Sequence, residues 1–155
     1  MRFKRCCAFI AIFTLMFGMS IFLNGCSAQK GTPLFEYLGQ DALEFADTFR
    51  NDGALSVTVR YDGEASGEPY TVNDEQTIQA VFSALDNMVV TGGKRSGHTD
   101  DYLVYYFEMH DNSSFYVTFQ EGRFLTDRED QIEIKGFDAL IAALPPQSPD
   151  WEERN

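Results

Sequence analysis

Cysteine is nearly missing from this 155-residue chain: Cys6, Cys7 and Cys26 occur, and none follows. A domain built from the residues beyond Cys26 therefore has neither a disulfide nor a thiolate metal site, and must rest on its apolar core. Cationic side chains are also scarce, with 12 Lys and Arg against 24 Asp and Glu, for a net charge of −12. Three of the cations, Arg2, Lys4 and Arg5, open the chain; the rest carries nine cations and a net charge of −15. That balance opposes nonspecific binding to nucleic acid, whose phosphates require a basic surface, and docking on anionic headgroups. It permits cationic partners, metal ions or simple solubility. The recognised catalytic constellations are lacking too. There is no Gly-x-Ser-x-Gly elbow and no His-Glu-x-x-His zinc motif, and the two histidines, His98 and His110, are far from any such pattern. No catalytic residue, cofactor or metal ligand is assigned, and the expectation is a protein that is not an enzyme.

Present instead is a leader. Met1-Arg2-Phe3-Lys4-Arg5 is basic, and Cys6 to Leu23 is an 18-residue run without an ionised side chain. A basic start, an apolar run and a small residue before a cut describe a secretory signal. The run also reaches the lower length of a membrane-spanning helix, so an uncleaved anchor is the alternative. Both readings keep the positive end inside and the domain outside the cytoplasm. The run closes on Leu23-Asn24-Gly25-Cys26, which resembles the lipobox of bacterial lipoproteins. The resemblance implies that residues 1–25 are removed, that Cys26 becomes the acylated first residue, and that palmitate-type chains hold the protein on the bilayer. Two such chains suffice physically, since each buried methylene contributes about 0.8 kcal/mol and one chain alone is marginal.

The remaining 130 residues suit one domain. An apolar fraction of 44% and an aromatic fraction of 14% mark a globular chain. Residues 26–32 read as a tether, 33–145 as a single α+β domain and 146–155 as a flexible polar tail. Thr32-Pro33 reads as the cap and start of a helix. Leu34, Leu38, Ala42, Phe45 and Phe49 then recur at helical spacing, predicting a helix over 34–49. Leu55, Val57, Val59 and Tyr61 alternate as a strand. Tyr70-Thr71-Val72 briefly resumes one. Asn73 is the expected N-cap of a helix whose stripe is Ile78, Val81, Phe82 and Leu85. Met88-Val89-Val90 starts a strand, and 91–100 reads as a polar, glycine-rich, locally basic loop. A meander follows, with Leu103, Tyr105, Phe107 and Met109 on one face, and Phe115, Val117 and Phe119 returning on it. Glu121-Gly122 forms a hairpin turn into Arg123-Phe124-Leu125. Residues 126–130 loop, Ile132 and Ile134 alternate, and a last helix carries Phe137, Leu140, Ile141 and Leu144 before Pro145-Pro146 stops it.

These elements predict an antiparallel sheet of about five strands with helices on one face, in β-α-β4-α order after an N-terminal helix. That order is similar to TATA-binding-protein-like folds, a likeness of element order that licenses no function.

Four sites merit weighing. His98, Asp100 and Asp101 gather oxygen and nitrogen donors in one loop, but a metal needs more converging ligands. Thr91 to Gly97 offers amides, Lys94 and Arg95 to an anion without being a P-loop. Asp127, Glu129, Asp130 and Glu133, within the acidic stretch 126–133, carry calcium-type oxygens without the calcium-loop alternation. Tyr102, Val104, Tyr106 and Tyr116 are expected on the sheet face away from the helices, where rigid amphipathic rings make good contact surface. The reading favoured by the sequence is a membrane-anchored envelope lipoprotein, held by acylated Cys26, whose non-catalytic domain binds a protein or small ligand. An accessory subunit of an envelope complex and a small envelope hydrolase are the alternatives.

Overall fold

Alternating apolar residues build the sheet, and their length sets how far each strand runs. The computed structural model describes residues 31–62, 68–96, 101–126, 128 and 130–146. The leader, Cys26 with most of the tether, His98, Asp100, Asp127, Glu129 and the tail from residue 147 lie outside the described residues. Those that are described belong to one compact unit, Gly31–Asn155.

The strands are β1 (Thr32–Pro33), β2 (Ala54–Asp62), β3 (Tyr70–Val72), β4 (Val89–Ser96), β5 (Tyr102–Met109), β6 (Ser114–Gln120), β7 (Arg123–Leu125) and β8 (Asp130–Lys135). The helices are α1 (Leu34–Leu38), α2 (Gln40–Asp52), α3 (Glu75–Asp86) and α4 (Phe137–Ala143). All eight strands join one open sheet in the order β1-β4-β8-β7-β6-β5-β2-β3, and every neighbouring pair is antiparallel. The fold is thus α+β, with eight strands where the sequence predicted about five.

The additional strands have local causes. Thr32 pairs with Val90 and Pro33 with Val89, so the residues read as a helix cap form a short edge strand. Pro is tolerated there because an edge leaves one side without ladder bonds. The stretch expected to be a loop from Thr91 continues β4 to Ser96, with register shifts between Val90 and Gly92 and between Gly92 and Lys94. Gly92 and Gly93 adopt φ of 107° and 76°, the left-handed conformations that let a bulge absorb extra residues. At Gly93 a side chain would also collide with the Glu133 carboxylate, 2.6 Å from the position of its Cβ.

The predicted helix over 34–49 is two helices. Gly39, at φ 97° and ψ −162°, separates α1 from α2, in a conformation that is open almost only to glycine. The helix after β3 is capped by Asp74, not Asn73. The Asp74 carboxylate accepts from the Thr77 amide at 2.9 Å and from its hydroxyl at 2.7 Å.

A phenylalanine cluster joins helices to sheet. Phe49 of α2 stacks on Phe82 of α3 at 3.9 Å between centroids, and Phe45 stacks on Phe115 of β6 at 4.0 Å. Phe35 of α1 stacks on Phe82 at 5.7 Å and meets Phe115 at 6.1 Å. Phe107 of β5 lies 5.3 Å from Phe45. Burying each ring contributes about 1.5–3 kcal/mol, so this cluster is a principal source of stability. On the same sheet face, Phe119 meets Phe137 of α4 at 5.2 Å, and the buried Leu140 completes the contact of that helix with the core.

Candidate binding face and groove

The side chains that point away from this core alternate with it along β2, β5 and β6. The register sets Tyr106 directly opposite Tyr116 and, on its other side, opposite Thr58. The Met109 amide donates to the Ser113 carbonyl at 2.9 Å, which fixes the phase of the β5–β6 ladder. Tyr106 and Tyr116 consequently form a non-hydrogen-bonded pair, the kind in which facing side chains approach most closely. Tyr106 is 41% exposed and Tyr116 57%, the latter the most exposed large apolar side chain among the described residues. Val104 and Tyr102 continue the row along β5 and are half-buried. The structure thus brings the four expected surface residues onto one face, with the two tyrosines as its open part.

The surround is polar and internally satisfied. Ser56 donates to Glu108 at 3.5 Å, the Thr58 and Thr71 hydroxyls lie 2.8 Å apart, and Arg60 holds Asp62 at 2.8 Å. Farther along the sheet, Gln131 donates to Gln120 at 2.6 Å with both side chains buried.

A groove of about 1020 Å³ opens beside β6. Phe115, Val117, Phe124 and Ile132 give it an apolar lining, Tyr37 and Leu38 contribute from α1, and Asp41 and Ala42 from α2. Tyr37 is 42% exposed and meets the Phe124 ring edge-on at 6.5 Å. Arg128 and Asp130 line it from the loop before β8, and Asp130 is held by Lys94 at 2.7 Å. The sequence pass did not find this groove. The signal available was the short apolar run of β7 beside the longer one of β6.

The remaining candidates are dispersed. Lys94 is engaged by Asp130, and Arg95 stands opposite Gln131 in β4, so the expected basic loop is in large part a strand. Glu133 is exposed on β8. Asp101 is half-buried just before β5. Among the described residues no group of three or more His, Cys, Asp or Glu is placed to hold a metal ion, and no helix is long and apolar enough to cross a membrane.

The perturbed ionisable groups have structural causes. Hydrogen bonds from Thr77 hold the Asp74 carboxyl below the usual range. Those from Ser113 do the same for Asp111, which caps its own turn at 2.6 and 2.9 Å. Burial pushes the phenols of Tyr105 and Tyr70 up. None of these four lines the groove. No protein-family model, curated protein or solved structure matches this chain.

Proposed function

We propose that the protein is an extracytoplasmic envelope lipoprotein, anchored in the cell membrane through acylated Cys26. Its domain is a non-catalytic module that binds a protein or a small ligand through the face of Tyr102, Val104, Tyr106 and Tyr116. The helices pack on the opposite face, in the arrangement that the TATA-binding-protein-like element order implies. One observation carries the binding reading: a cross-strand tyrosine pair left open in an otherwise polar, self-satisfied sheet face. Rings of this kind lose little conformational entropy on binding and supply both apolar area and a hydroxyl. The acidity of the chain speaks against nucleic acid as the partner.

Two measurements test the reading. Mass spectrometry of the native protein is expected to find a chain beginning at a diacylated Cys26, and a chain beginning at Met1 with a free Cys26 thiol rejects the anchor. Cys26→Ser is expected to lose lipid labelling. For the domain, chemical cross-linking in intact cells is expected to yield a defined partner adduct that Tyr106→Ala and Tyr116→Ala both weaken. Adducts unchanged by both substitutions reject the tyrosine face.

A further inference from the structure

The strand β6 is longer than its neighbour β7. On one side it pairs with β5 along Ser114–Phe119, but on the other only Thr118, Phe119 and Gln120 meet β7. The two-residue turn Glu121–Gly122, with φ of 50° and 71°, makes Gln120 and Arg123 a hydrogen-bonded pair. Alternation then directs the backbone of Thr118 to β7 and that of Val117 and Phe115 to β5. The amides and carbonyls of Tyr116 and Ser114 point the same way as those of Thr118, where β7 has already ended. Among the described residues neither has a backbone partner on that side. The Thr126 amide bonds to the Asp130 carbonyl at 3.0 Å, closing the β7–β8 loop before it reaches them. This open stretch, Ser114–Val117, is the wall of the groove described above.

We infer that this edge is a strand-addition site for an extended peptide of a partner protein. The inference deepens the proposed binding function, on which it rests, by naming the partner's chemistry and its seat. An unpaired strand edge recognises backbone: it offers alternating donors and acceptors that only another extended chain can match. Four residues span about 14 Å at the usual rise per residue. In an added strand, alternate side chains face the apolar lining at Phe115 and Val117, and the others lie beside the exposed Tyr116 ring. Asp41 and Arg128, one charge of each sign, both line the groove, so net charge selects little and backbone with apolar side chains selects most. A second copy of this chain is the poorer occupant, because it would bring its own α1–α2 wall to the same opening.

The test uses the full chain in detergent micelles and a phage-displayed library of random heptapeptides. Enriched peptides are expected to carry apolar residues at alternate positions. Synthetic versions N-methylated at one alternating set are expected to bind about tenfold or more weaker, as backbone hydrogen bonds are lost, while the offset set binds normally. Ser114→Pro removes an amide that points into the groove and spares the β5 ladder, so it should weaken binding similarly, whereas Ser114→Ala retains it. If Ser114→Pro fails to fold, the N-methylated peptides on the native chain decide. No enriched peptide, or binding indifferent to both N-methylation sets, overturns the inference, as does a folded Ser114→Pro that binds normally. Peptides that bind Ser114→Pro normally but are lost with Tyr106→Ala would remove the edge site and leave the tyrosine face standing.

Discussion

The Tyr105 hydroxyl, in the centre of β5, donates to the Leu144 carbonyl at 2.7 Å, tying the middle of the sheet to the end of α4. Tyr105 is fully buried, so its ring packs with the core while its polar tip satisfies a carbonyl that the helix leaves over. Tyr70 makes the neighbouring bond, to the Pro145 carbonyl. Together these phenols fasten the C-terminal segment where α4 stops. Tyr105→Phe is expected to destabilise the domain by about 1–3 kcal/mol, because the Leu144 carbonyl stays buried without its donor. Urea denaturation followed by circular dichroism measures it. A loss under a few tenths of a kcal/mol would show that the bond contributes little.

The same residue predicts an alkaline limit. Burial, and secondarily the nearby Tyr70, pushes the Tyr105 phenol up, so the folded protein keeps its proton where the unfolded chain has lost it. The stabilisation is complete below the ordinary tyrosine value of about 10 and is lost as pH climbs beyond it. The urea midpoint is expected to fall steeply above about pH 10, and less steeply in Tyr105→Phe. Parallel profiles for the two proteins would contradict the assignment.

At the acid end the cap of α3 has the opposite sign. The Asp74 carboxyl is held below its usual range by the Thr77 hydroxyl and amide, so its contribution is present at neutral pH and lost as pH falls through the lowered value. Asp74→Ala is expected to lower the urea midpoint at pH 7. The difference from the native protein should close below about pH 4. A gap that persists in acid would mean that charge is not what the cap supplies.

Gly39 separates α1 from α2 with nothing near the position of a Cβ. A substitution there meets no clash, only the cost of its backbone conformation, about 1–3 kcal/mol. Gly39→Ala is expected to lose that much in urea denaturation while retaining the native circular dichroism. An unchanged midpoint would mean that the kink is not strained for alanine.

Phe49 and Phe82 join α2 to α3 through parallel rings 3.9 Å apart. Phe49→Ala is expected to cost about 3–5 kcal/mol as a buried ring is removed. In a double-mutant cycle the pair should couple by about 0.5–1.5 kcal/mol. Additive losses would show that the helices are held by area alone.

Much of the fold was legible because burial imposes a period. The alternation of β5 and the return of Phe115, Val117 and Phe119 put the buried residues where the structure has them. The Glu121–Gly122 turn and the ends of α3 were likewise readable from local chemistry. The errors fell where backbone geometry outweighs composition. Gly92 and Gly93 look like a loop but serve as bulges inside β4. Pro33 looks like a helix start but sits in an edge strand. Asn73 and Asp74 are both good caps, and only the position of Thr77 selects between them. The tyrosine face was legible as a face, because alternation assigns sides. The open edge of β6 was not, since a vacancy beside a strand depends on where the neighbouring strand stops.

By itself the sequence determined an acidic domain without cysteine beyond residue 26, the phenylalanine core and the side of the sheet that each strand residue takes. These follow from charge, from hydrophobicity and from the two-residue period of a strand, which are properties of the chain at short range. Only the tertiary structure decided the number and order of the strands, the joining of Tyr105 to Leu144 and the groove beside Ser114 and Tyr116. Each of these depends on which distant segments meet, and a local pattern of side chains carries no measure of that distance.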